Sequence, residues 1–504
     1  MPGNNGRSGD FSREIMLLIV CGATARLIFA AGTGLGIDET YMVAVGRHWE
    51  LGYFDHPPLA WWIARSASWL AGTETGWIVR APFIALFAIS TWLMYRLGTV
   101  LFGATSGFIA AVAVNCAPVL GVTTASWVLP DGPLDAALLA GALCLANVLF
   151  APSSRSCLWL LAGVFGGLAM LSKLHGVFLF AGAGLFLLTS APHRRWLATA
   201  WPYGGALIAL AILSPAIVWN AHHDWASLAF QGARAATRTF RPWMPLVALA
   251  GQAAFLAPWI WAPLVYVAAH DARKLTADPR AWLLICLGIG PIAFFTLVSA
   301  WSDQKPYFHW AAPGYLMLFP LLGRAMSPKF EAGSRGVSLW LKSSIAFDLV
   351  AALGIVVLCF APMVATPIRW IAPGMSDPMA EMSDWTDVQT YFRDWGLFED
   401  PHIFVVGRRW YEAAKIDYAL HAARDVVCIG DDCRGYDFVQ YPIDHAGDDA
   451  IVMVPENSKT AALERIAPRF ASVETMPTLT VMHGPWTLVR LSVFRARSYK
   501  PVGR

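Results

Sequence analysis

Residues 36–62 read GIDETYMVAVGRHWELGYFDHPPLAWW, opening on adjacent carboxylates, Asp38 and Glu39, and closing on Asp55 and His56 ahead of a proline pair. The chain around this run is strongly apolar. Of its 504 residues 57% are hydrophobic and 14% charged, with 24 tryptophans, and its mean hydropathy is +0.50. A surface so poor in polar groups does not keep a chain of this length in water, so composition places it in a membrane. The net charge of +3 is small and dispersed and gives no basis for nucleic acid as a partner.

Apolar windows long enough to cross a hydrocarbon core as helix recur near 15–35, 77–98, 102–122, 132–151, 157–171, 174–190, 198–218, 246–269, 281–300, 307–323 and 340–362. They predict a polytopic α-helical membrane domain over residues 1–362 with about 11 transmembrane helices. Ala23-Thr24-Ala25 imitates a signal-peptide cleavage site, but the apolar run continues past Arg26, so the first window is expected to stay as an uncleaved span. Basic pairs such as Arg194-Arg195 and Arg273-Lys274, with Arg324 and Lys329, favour the loops that an inward N-terminus leaves in the cytoplasm. That orientation puts residues 38–76 and the whole C-terminus outside.

From 363 to 504 the texture changes. Strand-like HIFVV (402–406), DVVCIG (425–430) and AIVMVP (450–455) alternate with helix-like WYEAAKIDYALH (410–421) and SKTAALERIA (458–467), which predicts a small extracytoplasmic α/β domain. Most cysteines lie in or beside apolar windows. Cys428 and Cys433 alone fall in this domain, where an oxidising compartment permits a disulfide.

Several polar segments resist the membrane. Within 36–62 the stretch TYMVAVGRHWE is expected to form an interfacial helix with its aromatics toward the headgroups. Asp38 can be no more than the cap of that helix, and Asp55-His56 no more than the start of a proline turn. Two acidic sites bracketing one helix are less easily explained as structure, because desolvated acids are costly and tend to be kept for work. Asp131 in SWVLPDGPLDAALL has a helix-cap reading of equal weight. Lys173 and His175 in LSKLHG interrupt two apolar windows, and a lysine there can simply snorkel. Lys305 and His309 in WSDQKPYFHWAAPGYLML fall, by the same orientation, on the same outer face.

In this order, Asp-Glu, YFDHPP, LPDGPL, LSKLHG and KPYFHWAAPGY resemble polytopic glycosyltransferases of the GT-C fold. The likeness is to bacterial members of the dolichyl-phosphate-mannose-protein mannosyltransferase-like superfamily, which includes the aminoarabinose transferases that modify lipid A. It covers roughly residues 15–323 and is weak for the particular sugar.

The resemblance implies a bacterial inner-membrane enzyme with a periplasmic C-terminal domain. It implies a polyprenyl-phosphate sugar donor and an acceptor hydroxyl on a glycolipid, glycan or protein. Asp38 matches the catalytic carboxylate, with Glu39 as a supporting acid. Asp55 and His56 stand where the aminoarabinose transferases carry an acidic-then-basic pair. His56 replaces the lysine of that pair, which turns attention to Lys173 and Lys305 for the donor phosphate, with Asp131 and His309 lining the substrate site.

No cofactor is implied with certainty; a divalent metal is compatible with the site but not required. Asp38, Asp131, His56 and His309 could supply hard or borderline ligands, although their spacing matches no compact metal motif, and His222-His223-Asp224 reads more simply as a solvated loop. Gly32, Gly34 and Gly36 end a membrane span instead of following a strand, so they form no nucleotide cradle. A transporter or flippase of a lipid-linked sugar is the rival class, since membrane carboxylates also make proton and substrate sites. An inert anchor bearing a carbohydrate-binding module is a third, and it leaves Asp38 and Asp55 without a role.

Overall fold

The computed structural model describes residues 10–152, 155–235, 239–274, 277–302, 307–360, 382–440 and 442–501. They fold as two compact units, one built from Met1–Ile28, Leu51–Ala60 and Arg80–Ala352, the other from Phe29–Glu50, Trp61–Val79 and Leu353–Arg504. Residues 363–504, expected as a domain of their own, are thus joined by two segments from the N-terminal region.

The helices of the chain's first three quarters are α1 (Ser12–Gly32), α2 (Ile37–Gly46), α3 (Leu59–Ala71), α4 (Gly76–Phe102), α5 (Ala104–Asn115), α6 (Asp131–Phe150), α7 (Leu158–Ser172) and α8 (Val177–Thr189). They continue as α9 (Trp201–His222), α10 (Ala226–Ala235), α11 (Met244–Leu256), α12 (Pro258–Ala272), α13 (Pro279–Val298), α14 (Ala312–Leu316), α15 (Phe319–Glu331) and α16 (Arg335–Phe360). By length and composition α1, α4, α6, α9, α13 and α16 can each cross a bilayer; α5, α7 and α8 are shorter apolar helices. Helices suit this solvent because they satisfy their backbone groups internally where no water can.

Three predicted spans differ in detail. The window 246–269 is two helices, α11 and α12, bent by 116°. Ala257, with φ of 71°, turns the chain there and Pro258 starts the next helix, because proline cannot donate to a continuing helix. The window 102–122 ends as an α-helix at Asn115 and passes into a π-helical turn, Val119–Thr124. The window 307–323 is broken into a 3-10 turn at Phe308–Ala311, then α14 and α15, each helix opening on a proline. The division between 157–171 and 174–190 falls on Lys173, which is extended (φ −153°, ψ 138°) between α7 and the turn that begins α8.

The core of the first unit is formed by Leu134, Leu139 and Leu145 of α6, Leu283 and Leu287 of α13, and Leu321 and Leu322 of α15, all buried. Where α7 crosses α9, a Cβ on Gly163 would lie 2.1 Å from the Gly205 carbonyl oxygen. Only glycine permits that approach, which is how membrane helices gain packing without a hydrophobic drive between them.

The second unit holds a five-stranded sheet of order β2-β1-β3-β5-β4. Its strands are β1 (Ile403–Arg409), β2 (Val426–Asp432), β3 (Asp449–Pro455), β4 (Phe470–His483) and β5 (Trp486–Tyr499). β1 pairs in parallel with both β2 and β3, and the β4–β5 hairpin adds antiparallel to β3. Helices α17 (Asp387–Asp394), α18 (Trp410–Leu420), α19 (Tyr436–Val439) and α20 (Lys459–Ile466) accompany the sheet. The three parallel strands and helices α18 and α20 match the sequence reading. The hairpin was not legible, because β4 alternates irregularly and has few buried positions.

Candidate functional site

In the second unit the first-turn geometry of α2 decides where Asp38 stands. Gly36 is the N-cap, and its N–H donates to Glu39 Oε2 at 2.8 Å, while the Thr40 N–H donates to the Gly36 carbonyl. Glu39 is therefore buried and engaged at the helix start, whereas Asp38 beside it is exposed. Leu35, just ahead, donates its N–H to Asp384 at 3.0 Å and accepts from the Lys415 ammonium at 2.6 Å.

The rest of α2 does not lie with its aromatics toward headgroups, as expected from sequence. Residues Glu39 to Gly46 are buried. Tyr41 packs edge-on to Trp410 at 5.1 Å between ring centroids, and its hydroxyl accepts the Gly435 N–H at 2.9 Å. Past the helix end, Arg47 forms a bidentate pair with Glu74, Nη2 to Oε2 at 2.6 Å, and a second pair with Asp417. Burial pushes the Asp417 carboxyl up to about 6, although Arg47 and the Tyr436 hydroxyl favour its charge.

In the first unit the YFDHPP turn is pinned through its backbone. The Tyr53 N–H donates to the His56 carbonyl, the Gln231 side chain of α10 donates to the Asp55 carbonyl at 2.5 Å, and Phe54 packs on Phe230. Asp55 is buried, at 6% exposure.

Asp131 opens α6 and Lys173 sits at the α7–α8 break, and the two meet as a buried ion pair, Nζ to Oδ1 2.9 Å. One residue back on each side, the Ser172 hydroxyl donates to the Pro130 carbonyl at 2.6 Å. His175 stacks on Phe295 at 4.5 Å and meets Trp310 edge-on. Lys173, Asp131, His56 and His309 all lie within electrostatic range of His175. The structure therefore brings four of the sequence candidates near His175. Lys305 lies outside the described residues.

Asp135 and Arg80 are among the buried charged residues of the first unit that the sequence does not single out. Asp135, one turn beyond Asp131 on α6, is 4% exposed, and its Oδ1 meets no hydrogen-bond donor among the described residues. The signal was present in LPDGPLDAALL, whose two carboxylates are spaced i, i+4 and so share a helix face. Arg80 is fully buried within α4.

His223 stacks on Trp219 at 4.2 Å and hydrogen-bonds its carbonyl, so the His222-His223-Asp224 loop is partly committed to packing. Among the described residues no group of three or more His, Cys, Asp or Glu is arranged to hold a metal ion. Cys428 and Cys433 are joined in a disulfide.

Residues 55–219 match the family model for dolichyl-phosphate-mannose-protein mannosyltransferase. No curated protein matches the chain in sequence. Among solved structures it is similar to ArnT from Cupriavidus metallidurans in the apo state, at 15% identity over 96% of this chain and 98% of that one, with a TM-score of 0.63. The structure of ArnT bound to undecaprenyl phosphate gives 15% identity over the same shares and a TM-score of 0.60. The archaeal oligosaccharyltransferase AglB from Archaeoglobus fulgidus, in complex with an inhibitory peptide and a dolichol-phosphate, gives 12% identity, 90% and 70% coverage, and a TM-score of 0.52. This chain is a polytopic membrane protein with the GT-C fold of ArnT, and its segment 55–219 carries the match to the mannosyltransferase family.

Proposed function

We propose that the protein transfers a sugar from a polyprenyl-phosphate donor to an acceptor hydroxyl on the periplasmic face of a bacterial inner membrane, the acceptor being a lipid A-type or other cell-envelope glycan. The observation that carries this reading is the fold likeness to ArnT, which has been solved with undecaprenyl phosphate bound and is matched along 96% of this chain. The Cys428–Cys433 disulfide supports an oxidising compartment for the C-terminal domain.

In this mechanism Asp38 takes the proton of the acceptor hydroxyl as its oxygen bonds to the anomeric carbon, and the bond from that carbon to the phosphate oxygen breaks. Glu39 holds the helix start that presents Asp38. The departing polyprenyl phosphate needs donors for its growing charge. Lys173 takes that role, with Lys305, His56 and His309 as further groups for the phosphate, Asp131 orienting Lys173, and Asp55 at the mouth of the donor cavity.

The test is purified protein in liposomes, given undecaprenyl phosphate linked in turn to glucose, mannose, galactose or aminoarabinose, with a lipid A acceptor. Release of undecaprenyl phosphate together with a new glycosidic bond is expected for one donor. Movement of a lipid-linked sugar between leaflets with no glycosidic bond formed would establish the flippase class instead.

A further inference from the structure

Lys415 lies in the middle of α18 and is 1% exposed. A buried ammonium is costly unless its donors are used. Lys415 directs donors to two backbone carbonyls, Leu35 at 2.6 Å and Ser383 at 3.0 Å. The residue after Ser383 completes the grip, because Asp384 Oδ1 accepts the Leu35 N–H at 3.0 Å. Both polar backbone groups of Leu35 are therefore taken by side chains more than 340 residues away in sequence.

Gly34 fits against the same place. A Cβ there would lie 2.7 Å from both the Asp384 nitrogen and the Met382 carbonyl oxygen, so the two segments touch backbone to backbone. With Gly36 bonded to Glu39 and Thr40, the chain from 34 to 40 has one path. Asp38 lies on that path with its side chain exposed, so the start of α2 is what aims its carboxylate.

We infer that Lys415 and Asp384 are positioning residues for Asp38, fixing the backbone of Leu35 so that the first turn of α2 presents the carboxylate to the acceptor. The inference rests on the reading of Asp38 as the base. It assigns the C-terminal domain a part in the transfer step beyond packing. Misplacing a reacting group by about 1 Å costs up to about 100-fold in rate, so loosening this clamp falls on kcat and leaves the donor KM alone.

The variants are Lys415→Met, Asp384→Ala, Asp38→Asn and each clamp variant combined with Asp38→Asn, assayed with the undecaprenyl-phosphate sugar selected from the four above. Lys415→Met and Asp384→Ala are each expected to lower kcat about 10-fold or more at unchanged donor KM. Amide exchange over 35–40 should quicken while the β1–β3 core stays protected. In the Asp38→Asn background the same changes should cost nothing further, since there is no base left to aim.

Losses that multiply in that background, or a normal kcat in both single clamp variants, would overturn the inference. Normal turnover by Asp38→Asn alone would instead remove the reading of Asp38, a separate outcome. Should Lys415→Met fail to fold, Asp384→Ala carries the test, since it deletes only a half-buried carboxylate.

Discussion

Lys173 and Asp131, 42 positions apart in the chain, form a buried ion pair with 2.9 Å between Nζ and Oδ1. The cation proposed for the donor phosphate is thus already neutralised before any donor arrives. Removing one member of a buried pair strands the other charge, at a cost of about 3–5 kcal/mol. Lys173→Met should therefore lower thermal stability as well as donor affinity. The double variant Lys173→Met/Asp131→Asn should recover most of the stability while donor binding stays one to two decades weaker, roughly the worth of a charge-assisted contact. Melting temperature in detergent and donor Kd separate the two effects. Donor affinity restored in the double variant would return Lys173 to a structural role.

Asp38 and Asp55 should behave differently because one is exposed and the other buried. Asp38→Asn is expected to leave the melting temperature and donor binding unchanged and to cut transfer by on the order of 10² or more. Asp55→Asn should raise the donor concentration needed, with a smaller effect on the rate at saturating donor. Steady-state kinetics on both variants give the contrast, and identical kinetic profiles for the two would dissolve it.

The Asp417 carboxyl, with a folded pKa of about 6 against an unfolded value of about 3.9, gives the second unit a predictable pH response. Its folded pKa is raised, so its contribution to stability is fully present below about pH 4 and is lost as pH rises through about 6. The difference in melting temperature between wild type and Asp417→Asn, followed from pH 4 to 7, should shift in favour of the variant with rising pH. A flat difference would show that Arg47 holds Asp417 ionised throughout.

Cys428 and Cys433 should be refractory to alkylation in the native, unreduced protein and yield two alkylated thiols after reduction, by intact mass. Because Gly435, two residues past Cys433, donates to the Tyr41 hydroxyl, replacing both cysteines by serine should also quicken amide exchange along α2. Unchanged exchange there would mean that the loop holds its place without the bridge.

The sequence by itself determined what local physics can determine. Apolar length set most of the spans, since a bilayer demands about 20 apolar residues per crossing helix. Alternating strand and helix patterns set the parallel half of the C-terminal sheet. The start of α2 was legible only to within a turn: the cap lies at Gly36, whose N–H is taken by Glu39, and not at Asp38, where the sequence offered it. The break in LSKLHG foretold the interruption at Lys173.

Only the tertiary structure decided who meets whom. Lys173 reads as a snorkelling lysine until Asp131 is seen beside it, and Lys415 reads as an ordinary polar residue of a surface helix until Leu35 is found at its ammonium. Tyr41 looked like a residue for the membrane interface and is instead buried against Trp410. Hydropathy gives each residue's preference for leaving water, but burying a charged group is costly unless the fold brings a partner to it. That partner is 42 residues away for Lys173 and 380 for Lys415, a separation over which pattern and period carry no information.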